Sequence, residues 1–169
     1  LTGKKAASPH GTPGLTKKQK GDLVLFDLGV VYEGYCSDIT RTVAYSDINE
    51  KQKEIYDTVF QAQLAAIEAS KPGALCKDLD LAARNYIANK GYGEYFTHRL
   101  GHGLGISVHE YPSLTSTNEL PLQEGMVYTI EPGIYVPEIA GVRIEDDIYV
   151  TADGCEILTH YPKDLQIIK

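Results

Sequence analysis

Two stretches of this chain repeat one frame: a glycine, five residues, an acid, any residue, and a second glycine. They are GDLVLFDLG from Gly21 to Gly29 and GMVYTIEPG from Gly125 to Gly133. In each copy the acid, Asp27 or Glu131, closes an apolar run, Leu23 to Phe26 or Met126 to Ile130, so it continues a strand whose neighbours belong in a core. Each copy then turns into a second strand bearing another acid, Asp38 in GYCSDITR and Glu145 in GVRIED. A histidine precedes each copy, His10 before Gly21 and His109 before Gly125. One such frame arises easily by chance, but two with matching acids and upstream histidines imply similar halves facing each other. Such halves would aim four carboxylates at one central place.

Burying an ionised carboxylate costs several kcal/mol, roughly, unless it is paired or binds metal. Four converging acids would repel one another, and Arg41 and Arg143, the bases nearest in sequence, are too few to neutralise them. Two divalent cations suffice. A nitrogen donor is at hand in His98-Arg-Leu-Gly-His102-Gly-Leu-Gly-Ile-Ser-Val-His109-Glu110, where Gly101, Gly103 and Gly105 clear side chains from around His102 so that backbone and imidazole can approach a ligand. A site of carboxylates and a single imidazole, with no sulfur, favours Mn2+, with Co2+, Zn2+ or Fe2+ as substitutes, and disfavours a structural zinc.

With 169 residues, 43% of them hydrophobic, the chain can bury one core, and its net charge of -7 speaks against nucleic acid. Cys36, Cys76 and Cys155 form no Cys-x-x-Cys pair, which fits reduced thiols in a cytoplasmic protein, with Cys36 a small buried filler. No apolar run approaches the ~20 residues that span a bilayer, and no signal peptide is visible. Between the copies, helices are expected over about 49–70, capped by Asp47 or Ser46, and about 77–90, stopped by Gly91; Ile55, Val59, Ala62, Ala66 and Ile67 face inward on the first and Leu79, Ala82, Ala83, Tyr86 and Ile87 on the second. If the halves are alike, the first copy should own a matching helix pair ahead of Leu1, so a fragment of a longer protein is expected.

The five donors Asp27, Asp38, His102, Glu131 and Glu145, with the motifs GYCSDITRT, HRLGHGLGISVHE, EPGIY and GVRIEDD, resemble the pita-bread-fold metallopeptidases that include methionine aminopeptidase, aminopeptidase P and prolidase, and among them most resemble the bacterial Xaa-Pro dipeptidases. The resemblance implies an α+β pita-bread fold with a pseudo-two-fold repeat, here lacking its N-terminal part, so that residues 1–169 are the C-terminal part of a catalytic domain. It implies Asp38 and Glu145 bridging two divalent metals, Asp27 completing one shell and His102 and Glu131 the other. The implied reaction is hydrolysis of Xaa-Pro dipeptides by a hydroxide held between the metals, releasing proline. His109 would hydrogen-bond the carbonyl or tetrahedral oxygen, His10 line the substrate side, His98 assist proton transfer or placement, and Glu131 relay the water's proton. Arg143 would orient a carboxylate; Arg41 is read either as a similar support for Asp38 or as an ordinary salt-bridge partner. The family also implies a homodimer of the intact protein, while the fragment alone is expected to bind metal weakly or be inactive. Some prolidases carry an arginine where this chain has Ser113, after His109-Glu110-Tyr111-Pro112, which leaves the partner of the substrate's carboxylate unidentified. The alternatives are an Xaa-Pro aminopeptidase acting on longer peptides and, more distantly, a metal-free or non-catalytic binding protein of the same fold.

Overall fold

A computed structural model describes residues 1–9 and 11–169. The first glycine frame opens β1 (Asp22–Leu28), passes through a small hairpin, β2 (Val31–Tyr32) and β3 (Tyr35–Cys36), and returns as β4 (Ile39–Tyr45), antiparallel to β1 with Asp27 opposite Thr40. The second frame opens β7 (Val127–Ile130), passes through the hairpin β8 (Gly133–Val136) and β9 (Ala140–Arg143), and returns as β10 (Asp146–Val150), antiparallel to β7. The repeat in sequence is therefore a repeat in structure.

Its leading glycines explain themselves. Gly21 and Gly125 sit at φ +90° and +89°, left-handed backbone that a side chain would strain, and their N–H groups donate to the carbonyls that end the partner strands, Tyr45 and Val150, each at 2.9 Å. The remaining strands, β5 (Gly101–Gly103), β6 (Glu110–Leu114), β11 (Cys155–Ile157) and β12 (Ile167–Ile168), extend two sheets ordered β1-β4-β12 and β11-β10-β7-β5-β6. The sheets meet where the copies face each other: Glu145 N–H donates to the Thr40 carbonyl at 3.0 Å, and the Thr42 hydroxyl donates to the Arg143 carbonyl at 2.9 Å.

Between the copies run α1 (Glu50–Ala69) and α2 (Cys76–Asn89). The start of α1 corrects the expected cap. Asn49, not Asp47 or Ser46, accepts from the Gln52 N–H, while the Gln52 side chain accepts from the Asn49 N–H, so both orphan donors of the first turn are met reciprocally. Ile55, Val59, Ala62 and Ala66 of α1 and Leu79, Ala83 and Ile87 of α2 are fully buried, in one cluster with Tyr128, Ile130, Ile148 and Val150 of β7 and β10. Ile67 and Tyr86 pack at its margin, partly buried.

Among the described residues, no comparable cover lies over β1 and β4. Phe26, the counterpart of Ile130 in the frame, is 47% exposed where Ile130 is 0%, and with Leu28, Ile39, Val43, Tyr161 and Ile168 it lines an apolar groove of about 410 Å³. Among the described residues, no helix is long and apolar enough to cross a membrane.

Candidate metal centre

A cleft of about 530 Å³ opens between the two copies, and Asp27, Asp38, His98, His102, His109, Glu131, Arg143 and Glu145 all line it. His10 lies outside the described residues. One donor atom each from Asp38, His102 and Glu145 lies within 4.8 Å of the others. His102 Nε2 is 3.3 Å from Glu131 Oε1 and 3.9 Å from Asp38 Oδ2. Asp27 joins through Arg143, whose Nη2 is hydrogen-bonded to Asp27 Oδ2 and whose Nε is 3.8 Å from Glu131 Oε2. The expectation that all four acids are buried holds unevenly: Glu145 is buried and Asp38 and Glu131 nearly so, but the Asp27 side chain is 49% exposed, since β1 lacks cover at this end.

The glycines around His102 also have a role in packing. A Cβ on Gly101 would lie 1.9 Å from the Thr129 carbonyl oxygen and one on Gly103 2.3 Å from that of Tyr111, so these residues let neighbouring backbone close on β5. This packing holds His102 3% exposed, with its backbone N–H donating to Thr129 Oγ1 at 3.2 Å.

The space between these side chains suits a cation. His102 Nδ1 lies 3.1 Å from the Gly103 carbonyl, which can only accept, so the proton sits on Nδ1 and the Nε2 lone pair points at the carboxylates of Glu131 and Asp38. Burial also pushes the imidazole down to about 4, so the ring is neutral at pH 7 and supplies no charge. Acceptors face acceptors. Burial, reinforced by Asp38 but opposed by Arg143, lifts Glu131 to about 7; burial and then Asp27 raise Asp38; burial, then Glu131 and Asp38, raise Glu145 well above the carboxylate range. Carboxylates that resist ionisation together are relieved by positive charge placed between them. The donor set thus fits the divalent ions the sequence implies.

The supporting shell was mostly invisible in the sequence. Thr40 Oγ1 donates to Glu145 Oε2 at 2.6 Å and receives Arg143 Nε at 3.2 Å. Arg143 Nη1 donates to the Tyr135 hydroxyl at 2.9 Å, and that hydroxyl lies 2.9 Å from His98 Nε2, while His98 Nδ1 faces the Arg99 carbonyl at 2.7 Å. A neutral His98 therefore carries its proton on Nδ1 and accepts from Tyr135. Burial works against the charge on Arg143, but Tyr135, Asp27 and Glu145 outweigh it and keep the guanidinium protonated; burial likewise pushes the Tyr135 hydroxyl up to about 12. Tyr135 lay within the quoted motif EPGIY, the one signal that could have found it.

Of the two readings of Arg41, the ordinary salt-bridge partner holds: its guanidinium binds Asp146 Oδ1 at 2.6 Å and the Tyr161 carbonyl at 2.8 Å, away from the cleft, and not Asp38. One expectation changes. Cys36 is not a buried filler, being partly exposed with its thiol 3.5 Å from the Ile106 carbonyl.

A helix-backed strand repeat facing itself across a cleft of acids and one imidazole defines a class, and residues 1–152 match the model of metallopeptidase family M24. The chain belongs to that family and has its α+β pita-bread fold. It is 68% identical over 168 residues to "Putative dipeptidase YkvY" of Bacillus subtilis, covering 99% of this chain and 46% of that protein. Among solved structures it is similar to an Xaa-Pro dipeptidase from Bacillus anthracis, at 48% identity and a TM-score of 0.97 over 99% of this chain and 47% of that one. An X-Pro aminopeptidase from Thermotoga maritima shares 42% identity at a TM-score of 0.96, over 99% of this chain and 47% of that one. The chain spans about half the length of these relatives.

Proposed function

We propose that this chain is the C-terminal part of the catalytic domain of an M24 dipeptidase that hydrolyses Xaa-Pro dipeptides and releases proline. The observation that carries the reading is the lone pair of His102 Nε2 aimed at Glu131 and Asp38, 3.3 and 3.9 Å away. Asp27, Asp38, His102, Glu131 and Glu145 would hold two divalent ions, with Mn2+ the best match to the donors. When bound, such ions supply Lewis-acid activation of water and stabilise charge on the scissile carbonyl oxygen.

The chain's own residues account for the rest. Glu131, at the cleft wall, is placed to take the proton of the attacking water and hand it to the leaving nitrogen. His109, whose ring packs edge-on against His102 with centroids 4.2 Å apart, stands at the exposed rim, where it can donate to the carbonyl oxygen as negative charge develops. His98, fixed by Tyr135, lines the same cleft and steadies the substrate. For His10 the resemblance to the family implies a role on the substrate side.

Recognition of proline follows from the bond itself. An amide to proline has no N–H, so a site that grips the carbonyl and the two chain ends works where one that pairs with that N–H fails. Arg99 lines the cleft and donates from Nη1 to Ser113 Oγ at 3.0 Å, and these two observations support it as the cation for the substrate's carboxylate. Leu28, Val30, Val31 and Val108 give the cleft an apolar wall for the first residue. An aminopeptidase acting on longer peptides is the second reading, favoured by the likeness to the Thermotoga maritima enzyme.

The test is metal analysis of the intact protein together with its hydrolysis of Xaa-Pro and Xaa-Pro-Xaa peptides, before and after chelation and on adding Mn2+. Bound divalent metal, with Mn2+-dependent release of proline from dipeptides in preference to tripeptides, is expected. Tripeptide preference would select the aminopeptidase, and chelator-insensitive cleavage would end both readings. The intact protein is expected to be a cytoplasmic homodimer, which its sedimentation would check.

A further inference from the structure

Thr40 and Asp147 occupy equivalent places in the repeat, two residues after Asp38 and two after Glu145. Each reaches across to the other copy. Thr40 Oγ1 donates to Glu145 Oε2 at 2.6 Å, and Asp147 Oδ2 accepts the backbone N–H of Asp38 at 3.0 Å. Asp147 is only 4% exposed, and its second oxygen, Oδ1, has no hydrogen-bond partner. A buried carboxylate with a bare oxygen beside another acid is an expensive way to hold one amide, since an uncharged acceptor would do so without repelling Asp38.

We propose that Asp147 is a positioning residue for the metal centre, the counterpart of Thr40 in a reciprocal brace by which each copy of the repeat sets the other's acid, Asp38 or Glu145. Without the oxygen of Asp147, the turn from β3 into β4 loses the contact that fixes where Asp38 begins, while Glu145 keeps its own support from Thr40. The inference rests on the metallopeptidase reading above.

The experiment compares wild type, Asp147→Asn, Asp147→Ala and Asp147→Val in the full-length protein. Mn2+ affinity is followed by electron paramagnetic resonance of the free ion, and hydrogen exchange of the Asp38 amide is measured after chelation. Asp147→Asn keeps the accepting oxygen and should bind Mn2+ within about threefold of wild type, with the amide still protected. Asp147→Ala should bind ~10-fold or more weakly, the loss typical of outer-shell partners, and exchange faster at Asp38. Asp147→Val, which fills the space without an acceptor, should match Asp147→Ala and stands in for it if the smaller side chain prevents folding. Wild-type affinity in Asp147→Ala or Asp147→Val, or an equal loss in Asp147→Asn, overturns the positioning role alone. Failure of the wild type to bind Mn2+ overturns the metallopeptidase reading and this inference with it.

Discussion

The two copies of the glycine frame have the same hairpin, the same left-handed glycine and the same hydrogen bond closing the strand pair, yet their backs are unalike. Val24 and Phe26 are 8% and 47% exposed, whereas their counterparts Tyr128 and Ile130 are both at 0% beneath α1 and α2. Acid placement is therefore a property of the strand pair, and cover is a property of what packs behind it. The first copy presents its carboxylates with half of its apolar backing open, and Asp27 is the most exposed of the four acids.

That contrast can be broken most forcefully at the acids, where the copies should behave alike. Asp38→Asn and Glu145→Gln should each weaken Mn2+ binding more than ~100-fold in the intact protein, beyond the 10–100-fold typical of outer-shell partners, and abolish turnover with it; full metal content in either variant would separate the two copies. His109→Ala, at the rim of the second copy, should keep the metal but lower kcat by ~100-fold to ~1000-fold, as losing one donor to a developing oxyanion does. Steady-state rates on metal-saturated enzyme check this.

At the backs of the strands the copies should diverge. Ile130→Ala should cost about 2–5 kcal/mol of stability in this chain, the range for a buried aliphatic side chain, and Phe26→Ala less than about 1 kcal/mol. Chemical denaturation of the two variants measures the difference; equal losses would mean that the first copy is covered after all.

The smallest effect is the pH slope of the chelated chain. Folded Glu131 at about 7 and Asp147 at about 6 hold protons that the unfolded chain, with carboxylates near ~4, releases. Their contribution is present below about pH 4 and is lost as pH rises through 6 to 7. His102, lowered to about 4, works the other way, adding stability as pH rises from 4 towards ~6.5. With Glu145 also raised, the acids prevail, so melting temperature after chelation should fall between pH 5 and 7, and Mn2+ should remove the fall. Thermal scans across that range, with and without Mn2+, would show it.

What the sequence made legible was local. The glycine frames, the acids that close apolar runs and the spacing of His98, His102 and His109 are patterns within a dozen residues, and the fold places all of them on one cleft. The helices were readable from the periodicity of Ile55, Val59, Ala62 and Ala66. What stayed hidden depends on contacts between distant segments. Arg41 meets Asp146 and Tyr161, Arg143 meets Asp27, and Asp147 meets Asp38, each separated by more than a hundred positions. The repeat and the resemblance picked out Glu145, but nothing local told that Asp146 meets a buried arginine and Asp147 a backbone amide. The tight approach that Gly101 and Gly103 permit to Thr129 and Tyr111 on neighbouring strands is another contact that local pattern does not show.

The bond network of Arg41 makes the tail of the chain a latch. Its guanidinium is held by the carbonyls of Tyr161 and Pro162, Lys163 pairs with the same Asp146, and the Tyr56 hydroxyl fastens to the Lys163 carbonyl. Trimming the polypeptide before Tyr161 would take from buried Arg41 its bonds to the Tyr161 and Pro162 carbonyls and from Asp146 its partner Lys163, leaving the pair to each other, the Thr40 and Glu145 carbonyls, Gln63 and Thr159. A cut made outside the cleft would thus loosen the support of the strand that carries Glu145.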